Sequence, residues 1–127
     1  MKFLVLGCNG MAGHTISMYL NERGHEVLGF DRVKSKYVNS VAGDAFDSAA
    51  IRDLVGVNRY DSVINCIGIL NQFAENNKSV ATYLNSYFPH FLAEITEGTD
   101  TQIIHMSTDC VFSGKRGCYT EDDFRDG

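Results

Sequence analysis

The sequence predicts an α/β fold: a doubly wound parallel sheet in three α/β/α layers, with five strands. Three observations carry this. Short apolar runs alternate with segments whose apolar residues recur every three or four positions, the pattern of strands and helices joined by right-handed crossovers. The first run, Lys2-Phe3-Leu4-Val5-Leu6, ends in glycines spaced three apart at Gly7, Gly10 and Gly13, and a helical pattern follows at once. The run Ser62-Val63-Ile64-Asn65-Cys66 is almost continuously apolar, as expected of a parallel strand buried on both faces. At 127 residues the chain is read as one domain, long enough for a real core.

The elements follow in order. The first helix covers about 11 to 23, with Ala12, Ile16 and Leu20 four apart on one face and Gly24 as its C-cap. His25-Glu26-Val27-Leu28-Gly29-Phe30 is the second strand and ends in Asp31-Arg32. Residues 33 to 40 are polar and loop-like. Val41-Ala42 is a short third strand leading into Gly43-Asp44. Asp47 is a good N-cap for a helix with Ile51, Leu54 and Val55 turned inward. After the fourth strand, 69 to 77 reads as a loop. A long helix is predicted over 78 to 97, with Val80, Ala81, Leu84, Phe88, Phe91, Leu92 and Ile95 as its apolar positions. Thr101-Gln102-Ile103-Ile104-His105-Met106-Ser107 is the fifth strand. Thr108-Asp109 and a loop rich in Gly and charge come last.

The long helix contains Pro89, which donates no N–H and so leaves the carbonyl of Asn85 without its helical partner. Two readings stand. The helix kinks and the freed carbonyl holds a water as part of a proton relay, or Pro89 opens a separate second helix.

Composition narrows the function. Hydrophobic content of 44% and charged content of 21% are those of an ordinary globular chain. A net charge of −5 argues against a nucleic-acid partner. No apolar run has the length of a membrane span, and Met1-Lys2 leads straight into a strand without a signal-peptide pattern, so a cytoplasmic protein with no membrane partner is expected. Cys8, Cys66, Cys110 and Cys118 form no C-x-x-C and no zinc spacing, so thiols and no metal site are expected.

In doubly wound sheets ligands bind beyond the carboxyl ends of the strands, which selects the candidate residues. Gly7 lets the chain leave the first strand sharply. Gly10 lets the backbone approach a pyrophosphate, and Gly13 lets the helix pack on the strand. The N–H groups of the first helical turn and its dipole favour phosphate there; Asn9 and Met11 complete this phosphate-side set. Asp31 lies 18 residues after Gly13, where a carboxylate can accept from ribose hydroxyls. Arg32 follows, where a guanidinium can pair with a 2′-phosphate. The two point toward NAD and NADP respectively, and a surface ion pair between them is the plainer alternative. Asp44 can accept from an adenine amino group or merely cap its turn. Asn65, Cys66 and Gly68 form a polar-then-small turn after the fourth strand; Gly68 lets the backbone pass close to a ribose or is an ordinary loop glycine.

The G-x-x-G-x-x-G spacing resembles that of the extended short-chain dehydrogenases/reductases, whose cofactor domain is Rossmann-like. Ser107-Thr108-Asp109-Cys110-Val111-Phe112-Ser113-Gly114 is similar to the end of the fifth strand in dTDP-4-dehydrorhamnose reductases and their nucleotide-sugar relatives. Tyr119-Thr120-Glu121-Asp122-Asp123 resembles their Y-x-E-x-D segment, and Asn85 with Pro89 their N-x-x-x-P. Two departures stand out: Cys110 occupies a position where Tyr is usual, and 69 to 77 does not carry the usual sequence. The resemblance implies NAD(P)H as cofactor, a 4-keto nucleotide sugar as substrate and a role in surface-polysaccharide synthesis. It also implies a Thr/Ser, Tyr, Lys triad in which Thr108 is the hydroxyl residue, and is compatible with a homodimer. The Tyr and Lys should stand four apart. Four residues after Tyr19, Tyr37, Tyr60, Tyr83, Tyr87 and Tyr119 stand Arg23, Val41, Ile64, Tyr87, Phe91 and Asp123. The expectation is therefore that residues 1–127 are the N-terminal, cofactor-binding part of a Rossmann domain, without the C-terminal substrate lobe and without reductase activity of their own. A nucleotide-sugar epimerase or dehydratase, and a non-catalytic dinucleotide-binding module, are the alternatives.

Overall fold

The computed structural model describes residues 1–127, the side chain of Asp109 excepted. Its elements are β1 (Lys2–Leu6), α1 (Met11–Glu22), β2 (Glu26–Asp31), β3 (Ser40–Ala42), α2 (Ser48–Val57), β4 (Ser62–Asn65), α3 (Asn71–Asn76), α4 (Lys78–Thr82), a π-helical turn (Tyr83–Tyr87), α5 (Phe88–Ile95), β5 (Gln102–His105) and a 3₁₀ turn (Asp109–Val111). The five strands form one parallel sheet in the order β3-β2-β1-β4-β5. The chain builds outward from β1 to β3, then returns to place β4 on the other side of β1. The carboxyl ends of β1 and β4 therefore flank the point where the winding reverses, the position at which such sheets open a crevice.

Side-chain alternation in β1 generates the three layers. Leu4 and Leu6 belong to a core with Phe30, Ile51, Val63, Phe88 and Leu92, under α2 and α5. Phe3 and Val5 point to the opposite face, into a second core with Val27, Ile64 and Cys8, against Ile16 and Leu20 of α1. Leu4, Val5, Leu6 and Val63 are fully buried, each contributing about 1.5–3 kcal/mol relative to exposure. Beyond them the sheet thins. In β5, Ile103 packs against the first core, whereas Ile104 is 38% exposed on the other face.

Helix ends follow local chemistry. Asp47 caps α2 as predicted, its Oδ1 accepting the Ala50 N–H at 3.0 Å. Arg23 is the last half-helical residue of α1, and Gly24 just beyond it takes φ +78°, the left-handed stop that glycine supplies. The inward line of α1 differs from the expected Ala12, Ile16, Leu20 stripe: the buried residues are Gly13 and Ser17, with Ile16 and Leu20 beside them. Small residues lead because this helix lies hard against the turn that follows β1.

Two expectations are corrected. Residues 71 to 76 are helical rather than loop, and the helix predicted over 78 to 97 is divided. α4 widens into a π turn in which the Phe88 N–H donates to the Tyr83 carbonyl, and α5 then starts with Pro89 in its first turn. Proline removes the N–H that would close the bond from residue 85. The helix absorbs the loss by shifting to i→i+5 pairing just before it. Among the described residues, no helix is long and apolar enough to cross a membrane.

Candidate functional site

The turn after β1 is built from backbone. Gly7 sits at φ +81°. Its N–H donates to the Phe30 carbonyl at 2.8 Å, and its own carbonyl accepts from the Gly10 N–H at 3.0 Å. A Cβ on Gly13 would lie 2.0 Å from the Gly7 carbonyl oxygen, so only glycine lets α1 start this close to the strand. Gly10 is the N-cap, extended at φ −70° and ψ 167°, and the first helical turn carries no acidic side chain. The N–H groups of Met11, Ala12 and Gly13 belong to the orphan donors of a helix start, in a local field that favours an anion.

Asp31, at the end of β2, is tied into this turn. Its Oδ2 accepts the Asn9 N–H at 2.9 Å and its Oδ1 accepts the Arg32 N–H at 2.7 Å. Asn9 Nδ2 donates to the Val33 carbonyl at 3.0 Å, so Asn9 joins the glycine turn to the loop after β2. Each carboxylate oxygen keeps lone-pair capacity for another donor. The Asp31 and Arg32 side chains form no ion pair with each other among the described residues. Cys8, buried beneath the turn, has its thiol pushed up by burial and by the Asp31 charge. Asp44 does cap its own turn, Oδ1 accepting the Phe46 N–H at 3.0 Å.

At the end of β4, Asn65 is fully buried. Its Oδ1 accepts the Ile67 N–H at 3.1 Å, which orients the amide so that Nδ2 donates to His105 Nδ1, also at 3.1 Å, across to β5. The Cys66 N–H donates to the Leu6 carbonyl at 2.9 Å, continuing the β1–β4 ladder, and burial pushes its thiol up. Asn85 holds the next stretch like a strand partner. Its Oδ1 accepts the Ile69 N–H at 2.9 Å and its Nδ2 donates to the Ile69 carbonyl at 2.7 Å. The side chain of Asn85, rather than its carbonyl, makes the observed contact with the strand-end loops. Thr108 lies exposed beyond β5, Oγ1 accepting the Cys110 N–H at 3.1 Å. The Asp109 side chain of the same motif lies outside the description.

A cavity of about 450 Å³ opens between these loops, within the usual range for small-molecule sites. Of the sequence-predicted residues, Gly7, Asn9, Gly10, Asp31, Arg32, Asp44, Cys66 and Gly68 line it. Met11, Gly13, Asn65, Asn85 and Thr108 do not: Gly13, Asn65 and Asn85 act behind the wall, while Met11 and Thr108 stand outside it. Sequence reasoning missed the apolar wall, among it Phe46, Ile67, Ile69, Val80 and Leu84. The signal for Val80 and Leu84 was present but read as core, since helix periodicity does not separate core from cavity lining. A larger cavity of about 510 Å³ lies at the opposite pole, around Arg59, Tyr60, Asp61, Thr96 and Thr101 before β4 and β5. Size notwithstanding, it is remote from the carboxyl strand ends and from the α1 N–H groups. The smaller cavity is the candidate site.

Comparison with known proteins finds relatives along nearly the whole chain. The probable low-salt glycan biosynthesis reductase Agl14 of Haloferax volcanii is 32% identical over 97% of this chain and 42% of its own length. A dTDP-4-dehydrorhamnose reductase of Streptomyces griseus is 31% identical over 95% of this chain and 38% of its own. The crystal structure of a hypothetical dTDP-4-dehydrorhamnose reductase from Sulfolobus tokodaii superposes with a TM-score of 0.85 at 30% identity, covering 98% of this chain and 45% of that one. The chain thus spans less than half the length of each. Residues 1–126 match the family described as the RmlD substrate binding domain, and the chain belongs to that family.

Proposed function

We propose that this chain is the cofactor-binding part of an NAD(P)H-dependent reductase acting on a 4-keto nucleotide sugar, in the manner of the dTDP-4-dehydrorhamnose reductases, for glycan or surface-polysaccharide synthesis. One observation carries the reading: the glycine turn, Asp31 and Asp44 open on a single cavity at the winding reversal of the sheet. The fit to a dinucleotide is chemical. Orphan N–H groups at the start of α1 suit a pyrophosphate. The turn leaves no room for a Cβ at Gly13, which keeps those N–H groups in place. Asp31 retains acceptor capacity for ribose hydroxyls, and Asp44 has a second oxygen for an adenine amino group.

A bound nicotinamide supplies a hydride equivalent. The reduced carbonyl develops negative charge on oxygen, which needs a donor aimed at it and a nearby acid. Thr108 is suited to the first task. Its Oγ1 already accepts from the Cys110 N–H, so the hydroxyl proton is available to donate to that oxygen. The acid is assigned to a tyrosine beyond these residues, because none of the six tyrosines has lysine four positions on. The same observation favours a second reading, a dinucleotide-binding module without chemistry.

Isothermal titration of the chain with ADP, NADH and NADPH tests the binding step. Saturable binding is expected; none of the three binding at millimolar concentration overturns the proposal. Assay of the chain with a nucleotide-sugar ketone and NADPH is expected to show no turnover. Turnover by residues 1–127 refutes the assignment of the acid elsewhere. The full-length protein reducing such a ketone supports the reductase, and its binding dinucleotide without reducing any supports the module.

A further inference from the structure

The apolar wall of the cavity holds an aromatic ring whose exposure the fold does not require. Phe46 follows Asp44 and Ala45 after β3, lines the cavity and is 46% exposed. Neither apolar core includes it. An exposed phenylalanine alone needs no explanation; this one is braced. Its N–H donates to Asp44 Oδ1 at 3.0 Å. Its ring stacks on Tyr83 with centroids 4.4 Å apart and planes 20° from parallel. The Tyr83 hydroxyl in turn donates to the Ala45 carbonyl at 3.2 Å, so one tyrosine fixes both the backbone and the ring of this loop. Tyr83 also packs against Tyr87 and Phe88, at 5.2 and 6.3 Å, which backs the pair from behind. Val80 and Leu84 lie on the same wall. The result is a rigid aromatic surface next to a carboxylate, at the end of the cavity away from the hydroxyl of Thr108.

We infer that Phe46, held by Tyr83, is the stacking platform for the purine base of the bound nucleotide. The inference rests on the dinucleotide reading above and adds a base-binding residue that no sequence motif marks. A flat ring held by its neighbours loses little freedom when a base is laid on it, so stacking contributes with small ordering cost. Apolar Val80 and Leu84 exclude water from the edge of the base, while Asp44 offers an acceptor to an exocyclic amine.

The test separates base from phosphate. Affinities of the chain for ADP and for inorganic pyrophosphate are measured side by side, with etheno-ADP fluorescence as a direct report of stacking. Phe46→Leu and Phe46→Ala should lower ADP affinity roughly 10-fold or more, the scale of one base on an aromatic ring. They should leave pyrophosphate affinity unchanged and abolish quenching of the etheno base. Phe46→Tyr should restore all three readouts. Retained pyrophosphate binding also certifies the fold of the variants. ADP binding Phe46→Leu as tightly as the unaltered chain overturns this inference alone. Equal loss of pyrophosphate and ADP also overturns it, since the effect is then not on the base. Failure of the unaltered chain to bind ADP at all overturns the dinucleotide reading and the platform together.

Discussion

Gly13→Ala is the sharpest perturbation of the glycine turn. The added Cβ would meet the Gly7 carbonyl oxygen at 2.0 Å, the Gly7 carbonyl carbon at 2.7 Å and the Cys8 Cα at 3.1 Å. All three are backbone atoms, so no side chain can rotate away. Relief requires α1 to move off the turn by about 1 Å, and gaps of that size forfeit a quarter to a half of the dispersion energy across the contact. Overpacking of this kind typically costs 1–3 kcal/mol; with rigid partners the upper end, about 3 kcal/mol, is expected. For a domain of this length that corresponds to a fall of roughly 10 °C in Tm. The orphan N–H groups move with the helix, so ADP affinity should fall at least about 10-fold in parallel. Two controls separate crowding from backbone effects. Among the described residues, a Cβ built on Gly24 or Gly56 has nothing within 4 Å beyond its own chain neighbours and helix backbone. Gly24→Ala, at φ +78°, should cost about 1 kcal/mol for the left-handed conformation alone. Gly56→Ala, inside α2, should stabilise by up to about 1 kcal/mol. Thermal and urea unfolding with ADP titration measure all three. A Gly13→Ala chain no less stable than Gly24→Ala, with unchanged ADP affinity, would refute the reasoning.

Other expectations are more local. Asp47→Ala removes the α2 cap and should cost about 1 kcal/mol in urea unfolding, with Asp47→Asn largely neutral. Asn85→Asp replaces the donor to the Ile69 carbonyl by an acceptor, and should destabilise more than Asn85→Ala, which costs about 1–3 kcal/mol for the two lost bonds; equal unfolding midpoints would show that the Ile69 clamp contributes nothing. Burial raises the Tyr60 pKa from 10.0 to about 12, outweighing the opposing effect of the neighbouring Asn58 side chain. The folded state thus holds that proton after the unfolded chain has released it. The stabilisation is complete below pH 10 and is lost as pH rises toward about 12, by about 2–3 kcal/mol in all. Tyr60→Phe should be neutral or stabilising at pH 7 and should flatten the fall in Tm over that window; an unchanged profile would contradict the raised pKa.

What was legible in the sequence, and what was not, divides along physical lines. The strands were visible because two-sided burial forces continuous apolar runs, as in Val63-Ile64, and a glycine turn of fixed spacing marks where the first of them stops; their order in the sheet was not. Asp47 was legible because capping is a contact between neighbours in sequence. The partners of Asp31 and Asn85 were not. Asp31 binds the Asn9 N–H across 22 residues and Asn85 binds Ile69 across 16, and no local pattern encodes either pairing. Asn65 read as a polar strand end, yet it is buried and paired with His105 40 residues away. The helix at 71 to 76 escaped notice because it buries no residue at all, and so leaves no hydrophobic period to read.

Pro89 shows how a local rule reaches the site through the fold. Its missing N–H leaves the helix to choose between breaking and widening, and both choices look alike in sequence. Here it widens, and the π turn begins at Tyr83, six residues before the proline. Three consecutive residues of that turn then serve the cavity. Tyr83 fixes the loop after β3, Leu84 lines the wall, and Asn85 holds the loop after β4. Both loops line the candidate cavity. A helix that kept regular pairing up to Pro89 would still contain these residues but would present them at a different angle about its axis. The proline thus acts on the cavity without lining it, by setting the register of a turn that reaches both loops.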